Sequence, residues 1–477
     1  MLGATLVVPI FGLVVSTLVL NGMEADAIGA VGANLSYICG HPGEFTGAEE
    51  ACSSSGAVRW LQLGSIVAGL MPLLVVAAQV GLARWAGRRR SAMAVAFPLL
   101  TRATILALVA MVLLQAAVAF AAIWIGESAL FGTVHFGIMI TLGIGALVAA
   151  AGLIRAAMAS GKRPTLFAIG QIFTPETAPR LYAHVRGLAQ RLGAQAPQHI
   201  VVGLEPTFYV TSADVQVLGA AKPLQGETLY LSATLARIFT PGELDAVIGH
   251  ELGHFRGEDT AYSLKFAPVY AGLGGAIGGM IDEEGRTAWA AVPALYVLGL
   301  LHELFASDEA AVARDRELEA DLAGAEAAGA EALALALMKV SLHADAWEWM
   351  LQEAAFLRGE ETAPNLAAAF VGARNQAFDE TAWREAVGAI LEQSVAHPID
   401  THPPVGARLA ALGYDVAGLE VERLLAPTGE TGAAVIDGLD EIEVELSRLE
   451  RELREEFTPS AETSVLARVG DSARLPV

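Results

Sequence analysis

Apolar residues are not spread evenly along this chain. Four long runs, at residues 2–20, 61–83, 103–125 and 137–154, are nearly free of charge. Each is about 20 residues, the length a helix needs to cross ~30 Å of hydrocarbon. They predict four membrane-spanning helices at the head of the chain. The first run has no basic segment ahead of it and is followed by further spans. It therefore reads as a retained anchor rather than a cleaved signal.

Beyond residue 160 the pattern becomes mixed. Residues 160–166 (SGKRPTL) read as a juxtamembrane linker. Thr174 and Pro175 open a predicted helix that runs to Leu192, with Gly193 as its stop. Leu181, Val185, Leu188 and Leu192 give that helix a core-facing stripe. Residues 199–204, 208–217 and 227–231 read as strands. The next helix starts at Thr240, because Pro241 suits a first helical position and Thr240 with Glu243 fits a capping box. Residues 266–281 and 288–305 are apolar and are separated by a charged turn, DEEGR, at 282–286. They read either as a membrane hairpin or as a buried or interfacial helical pair. Residues 309–396 are Ala-rich and helical in pattern, and 437–457 form a charged amphipathic helix. There is no internal repeat.

These elements predict three parts. Residues 1–159 form a transmembrane region of four spans. Residues 160–415 form a second domain that includes the hydrophobic hairpin at 264–306, and 416–477 are an acidic helical extension and tail.

Composition sharpens this picture. The 477 residues are 54% hydrophobic and the formal net charge is −22, with a mean hydropathy of +0.49. The acidic residues concentrate in the second half. Such a surface argues against nucleic acid, whose phosphates need Lys and Arg, and for a solvated acidic face. Basic residues beside the apolar runs fix the orientation. Arg84, Arg88, Arg89, Arg90 and Arg102 lie between the second and third runs, and Arg155, Lys162 and Arg163 follow the fourth. The positive-inside bias puts Met1 and everything after the fourth run in the cytoplasm. Cys39 and Cys52, the only cysteines, both fall in the first loop. On that reading the loop lies outside, where an oxidising compartment lets them pair.

The chemistry concentrates in AVIGHELGHF, residues 246–255. His250 and His254 are four apart and share one helix face. Two imidazoles so placed bind one zinc ion, and Glu251 between them is placed to take a proton from the attacking water. With ten His in the chain, this motif arises by chance on the order of 0.01–0.02 times per chain of this composition. A catalytic zinc wants a third protein ligand. RDRELEAD, residues 314–321, offers Glu317, with Asp321 one turn later to orient a histidine. On spacing alone, Glu309 and Glu319 compete for that place. Elsewhere, His302 reads as a satisfied histidine in an apolar helix, and His184, His199 and His343 read as surface or strand-end residues.

HELGHFRGED (250–259) followed by RDRELEAD (314–321) resembles the HtpX-like integral membrane zinc metallopeptidases, which are related to the CAAX prenyl endopeptidases. The resemblance covers residues 165–415. It implies a mainly α, zincin-like (α+β) peptidase domain with a small sheet, holding one zinc per chain. It also implies His250, His254 and Glu317 as metal ligands, Glu251 as the base, and Asp259 and Asp321 as supporting acids. THPPVGARL (401–409) is similar to the family's HPxxxxR element and implies His402, as an oxyanion donor, and Arg408 near the cleft. One departure stands out. At 206–212 (PTFYVTS), Thr207 occupies the place where the family shows Asn, which bears on substrate positioning rather than on the metal.

The expectation is therefore a membrane-bound zinc endopeptidase with polypeptide substrates, in particular membrane-associated or misfolded proteins, and with the lipid bilayer as its other partner. The expected location is a bacterial inner membrane, with the peptidase domain cytoplasmic. Two alternatives share the chemistry: a CAAX-type prenyl-protein protease, and a sensor-transducer whose first loop receives a signal.

Overall fold

The computed structural model describes residues 2–87, 89–160, 165–256, 266–278, 292–356, 365–392 and 403–457. Helices α1 (Leu2–Val31), α2 (Leu35–Gly40), α3 (Ala48–Ala86), α4 (Arg90–Phe131) and α5 (Phe136–Ser160) come first. Strands β1 (Thr165–Ala168) and β2 (Gln171–Phe173) follow, then α6 (Pro179–Leu192). Next are β3 (His199–Gly203), β4 (Tyr209–Thr211), β5 (Asp214–Val217) and β6 (Thr228–Ser232). The rest is helical: α7 (Ala233–Ile238), α8 (Pro241–Gly253), α9 (Ala267–Gly278), α10 (Val292–Ala328), α11 (Ala330–Phe356), α12 (Leu366–Gln376), α13 (Glu380–Glu392), α14 (Val405–Ala411) and α15 (Leu439–Phe457). By internal contacts the chain forms two units. One is Met1–Lys162 with Leu264–Asp308; the other is Arg163–Ser263 with Glu309–Val477.

In the first unit, four helices are long and apolar enough to cross a membrane: Thr5–Val31, Ala48–Ala86, Arg90–Phe131 and Phe136–Arg155. The expected fold class of a four-span helical region followed by a mainly helical domain with small sheets is what the chain adopts, and the chain is an integral membrane protein. The helices extend past the apolar runs because nothing in the flanking sequence stops them before Gly87 and Gly132, both at positive φ. Helices α1, α3 and α4 pack through Val15, Val19, Val58, Leu61, Val118 and Ala122. Close packing shows at Gly12, where an added Cβ would lie 2.3 Å from Ser65 Oγ. Cys39 of α2 and Cys52 of α3 form a disulfide. The described parts of 264–308 pack into this unit: the Phe97 ring centroid lies 4.9 Å from that of Phe266 and 4.8 Å from that of Phe305. Gln79 is buried and donates to Thr104 Oγ1 (3.2 Å) and to the Val297 carbonyl (3.3 Å).

In the second unit, a four-stranded sheet has the order β2-β3-β6-β4. Strands β3 and β6 run parallel, and β2 and β4 are antiparallel edges. β1 and β5 form a separate parallel pair. Residues 208–217, expected as one strand, are two strands in different sheets, parted at Ser212–Ala213. The predicted helix at Thr174 begins five residues later. Residues 174–178 form a turn closed by Thr177 N–H on the Thr174 carbonyl, and Pro179, not Pro175, is the early helical proline. The stripe Leu181, Val185, Leu188 and Leu192 is core, as its period indicated. β1 begins inside the stretch that read as linker, at Thr165 and Leu166.

Residues 416–457 are built into this unit. Val421 and Leu424 pack with Leu335, Met338 and Leu342, and Ile436, Leu439 and Leu446 join the main core. The amphipathic α15 turns Glu443 inward, where Arg237 Nε donates to it at 2.7 Å.

Candidate active site

The HExxH residues sit on α8, and its start is set locally. Thr240 accepts from the Glu243 N–H, Glu243 returns the bond to the Thr240 N–H, and Pro241 fills the first turn. This is the capping box anticipated from the sequence. From Ala246 to Gly253 the helix is buried, His250 and Glu251 included.

A second helix, α10, crosses close to α8 because both present small residues. An added Cβ at Gly249 would lie 2.5 Å from Ala327 Cβ, and one at Gly253 would lie 3.0 Å from Ala320 Cα. From the other side, a Cβ at Gly324 would lie 2.7 Å from the Ala246 carbonyl oxygen. The glycine in HELGH and the AGAEA stretch of α10 therefore let the backbones approach until Glu317 and Asp321 reach the histidines. Sequence reasoning picked out the acids but not the small residues that bring them there, although their helical spacing was readable.

One ligand atom each from His250, His254 and Glu317 lies within 4.8 Å of the others. Glu317 Oε2 is 3.7 Å from His250 Nε2, and Oε1 is 3.6 Å from His254 Nε2. These separations are too long for good hydrogen bonds. They are close to the roughly 3.3–3.4 Å edge of a tetrahedron with 2.0–2.1 Å bonds, the geometry of zinc bound by two imidazoles and a carboxylate. The donor set thus fits zinc. Glu309 and Glu319, which competed on spacing, do not belong to the cluster, the only such group among the described residues.

The surroundings prepare both imidazoles. His250 Nδ1 lies 3.0 Å from Asp321 Oδ1, so the N–H points to the carboxylate and Nε2 keeps its lone pair for the site. Arg408 grips the same carboxylate in a bidentate bond, Nε to Oδ2 at 2.9 Å and Nη2 to Oδ1 at 2.5 Å. Burial alone would raise Asp321, but the bonds from Arg408 and His250 hold it below the usual carboxylate range. Burial, and then the neighbouring His250, push His254 down to about 3, which keeps its ring neutral. Its Nδ1 has no hydrogen-bond partner among the described residues.

Glu251 is buried, and burial pushes its carboxyl above the ordinary range. Its Oε2 accepts from the Val210 backbone N–H at 3.1 Å, a bond that sequence reasoning missed. β4 is the sheet edge, and Tyr209 and Thr211 flank Val210 in its ladder with β6. A cleft of about 320 Å³ lies here, bounded by Thr207–Val210, α8, Glu317, Arg408 and the apolar Leu333, Leu337 and Val340 of α11. Thr207, at the departure from the family pattern, lines this cleft.

Asp259 and His402, the remaining site candidates, lie outside the described residues. Among the other histidines, His302 stacks on Tyr270 with ring centroids 4.2 Å apart. His184 pairs with Asp245 at 2.5 Å. His343 is not a surface residue: it is buried, with Nε2 donating to the Leu424 carbonyl at 3.1 Å. The Phe370 and Trp383 rings beside it and the Leu424 carbonyl come from later segments of the chain, which local pattern does not show.

Residues 175–416, half of the chain, match Peptidase family M48. A Protease HtpX homolog of Thermococcus kodakarensis is 29% identical over 249 residues, which is 49% of this chain and 73% of that protein. One from Archaeoglobus fulgidus is 27% identical, covering 48% of this chain and 66% of that protein. One from Pyrobaculum calidifontis is 33% identical over a shorter stretch, 34% of this chain and 46% of that protein. The crystal structure of S. mikatae Ste24p aligns over 86% of this chain and 98% of its own at 13% identity, with a TM-score of 0.27, too low to carry an argument. The matched region contains α8, the Glu317 turn of α10 and Arg408, and the chain belongs to peptidase family M48, as an integral membrane metallopeptidase.

Proposed function

We propose that this protein is a zinc-dependent endopeptidase that cuts membrane-associated or misfolded polypeptides, in membrane protein quality control. The observation that carries the reading is the convergence of His250 Nε2, His254 Nε2 and the Glu317 carboxylate beside a buried Glu251. When bound there, zinc supplies Lewis acidity that polarises the scissile carbonyl and acidifies water.

The chain's own groups divide the remaining work. Glu251 accepts the proton of the attacking water and delivers it to the leaving amine. Its raised carboxyl is suited to returning that proton, and the Val210 N–H holds its Oε2 in place. Asp321 keeps the His250 N–H on Nδ1, and Arg408 balances the charge of Asp321. His402 remains our candidate donor to the developing oxyanion, and Asp259 a supporting acid. We place the peptidase domain, residues 160–415 apart from the hairpin at 264–306, in the cytoplasm of a bacterium and the Cys39–Cys52 loop outside the inner membrane, on the strength of the Arg and Lys distribution.

The decisive experiment pairs metal analysis with proteolysis of casein by the detergent-purified protein. Glu251→Gln keeps one zinc per chain and loses cleavage by 10²-fold or more, because an amide cannot accept the proton. Near wild-type cleavage by that variant rejects the proposal.

A further inference from the structure

The start of α8 is held by a group outside the site. Lys339, on α11, is 1% exposed. Its Nζ donates to Glu243 Oε2 at 2.8 Å and to the Ile238 carbonyl at 3.0 Å. Glu243 is the capping-box residue of α8, and the same Oε2 accepts from the Thr240 N–H at 2.8 Å. Ile238 ends α7, so its carbonyl is one of those a helix leaves without an internal partner. One ammonium thus closes the last turn of α7, braces the first turn of α8 and ties both to α11.

Helices α8 and α11 are also two walls of the cleft. Val247 lies one turn along α8 from Glu243, and Val340 follows Lys339 in sequence; both line the cleft, with Leu337. A buried ion pair is seldom the most stabilising choice for such a contact, since apolar pairs of similar volume serve as well or better. What it adds is a fixed register, because charge-assisted bonds have a length and direction that apolar contacts lack.

We propose that Lys339 is a positioning residue for the peptidase: through Glu243 it sets the spacing of α8 and α11, and thereby the size of substrate side chain that the cleft admits beside the scissile bond. The proposal rests on the peptidase reading of the same cleft.

The test uses full-length protein in detergent and a panel of peptides that differ only in the bulk of the residues flanking one cleavable bond. Glu243→Gln/Lys339→Met removes both charges while Gln retains the capping role. This variant is expected to bind one zinc and to melt near wild type. Its KM values are expected to rise at least tenfold for the best wild-type peptides, with kcat less affected and the ranking by side-chain bulk flattened. Lys339→Arg, which keeps the charge on a longer and wider head, should keep zinc and shift the ranking in one direction.

If both variants carry zinc and keep the wild-type ranking and KM, Lys339 only supports the fold and the proposal is overturned. If both lose the fold, the pair is a core element and the proposal is likewise overturned. A wild-type protein that holds zinc but cleaves nothing in the panel overturns the peptidase reading instead.

Discussion

Asp321 Oδ1 lies 3.0 Å from His250 Nδ1, on the far side of the imidazole from the nitrogen that faces Glu317. This one contact sets the tautomer of a candidate ligand. Asp321→Asn keeps the volume but offers an amide that can equally donate to Nδ1, which would leave the proton on Nε2. Zinc affinity is expected to fall 10–100-fold, read by competition with a chromophoric chelator. Unchanged affinity would remove Asp321 from the site's working parts.

The third ligand can be assigned by metal content. Glu317→Ala should leave the purified protein with little zinc, because it removes the carboxylate that faces both Nε2 atoms. Glu309→Ala and Glu319→Ala should retain it, since neither carboxylate belongs to the cluster. The reverse outcome would mean that another acid reaches the metal.

Gly249 and Gly187 are both helix glycines with opposite expectations. A Cβ at Gly249 meets Ala327 Cβ at 2.5 Å, so Gly249→Ala forces α8 and α10 apart and should cost about 1–3 kcal/mol, with weaker zinc binding. A Cβ at Gly187 on α6 meets nothing within 4 Å, so Gly187→Ala should stabilise by roughly 0.5–1 kcal/mol. Thermal midpoints of the two variants, measured side by side, check the contrast.

His343 makes acid sensitivity a local property. Burial pushes it down to about 4, and it is held neutral, with Nε2–H on Leu424 and Arg374 Nε donating to Nδ1 at 3.4 Å. The unfolded chain binds a proton near pH 6.5 that the folded state refuses until about pH 4. The contribution of His343 is therefore complete above pH 6.5 and is lost as pH falls towards 4, by up to about 3 kcal/mol. His343→Gln, which keeps a donor for Leu424, should flatten the fall in thermal midpoint between pH 7 and pH 5. An equally steep fall in that variant would assign the acid sensitivity elsewhere.

The orientation is open to a simple fusion test. Alkaline phosphatase joined after Gly56 should be active, because it folds only outside, and joined after Arg163 it should be inactive. The opposite pattern would reverse the orientation proposed from Arg84–Arg90 and Lys162–Arg163.

Much of this protein is written in local pattern. The four spans follow from apolar run length, the start of α8 from Thr240, Pro241 and Glu243, the α6 core stripe from period, and the candidate ligands from HExxH and the later acid. Each depends on residues near one another in sequence, or on chemistry that tolerates few alternatives. What tertiary structure alone decided involves distant partners. Spacing left Glu317, Glu309 and Glu319 in competition and only the family resemblance favoured Glu317; in space it is the crossing of α8 and α10, which Gly249, Gly253 and Gly324 permit by having no side chain, that brings Glu317 to the histidines. Residues 208–217 split between two sheets because β4 finds a partner in β6 and β5 in β1, and strand propensity does not name partners. His343 read as a surface residue, and neither it nor Lys339 is marked as core by the helical pattern. They are buried because residues 416–424 and the α7–α8 corner pack over them and supply the polar partners that make their burial tolerable.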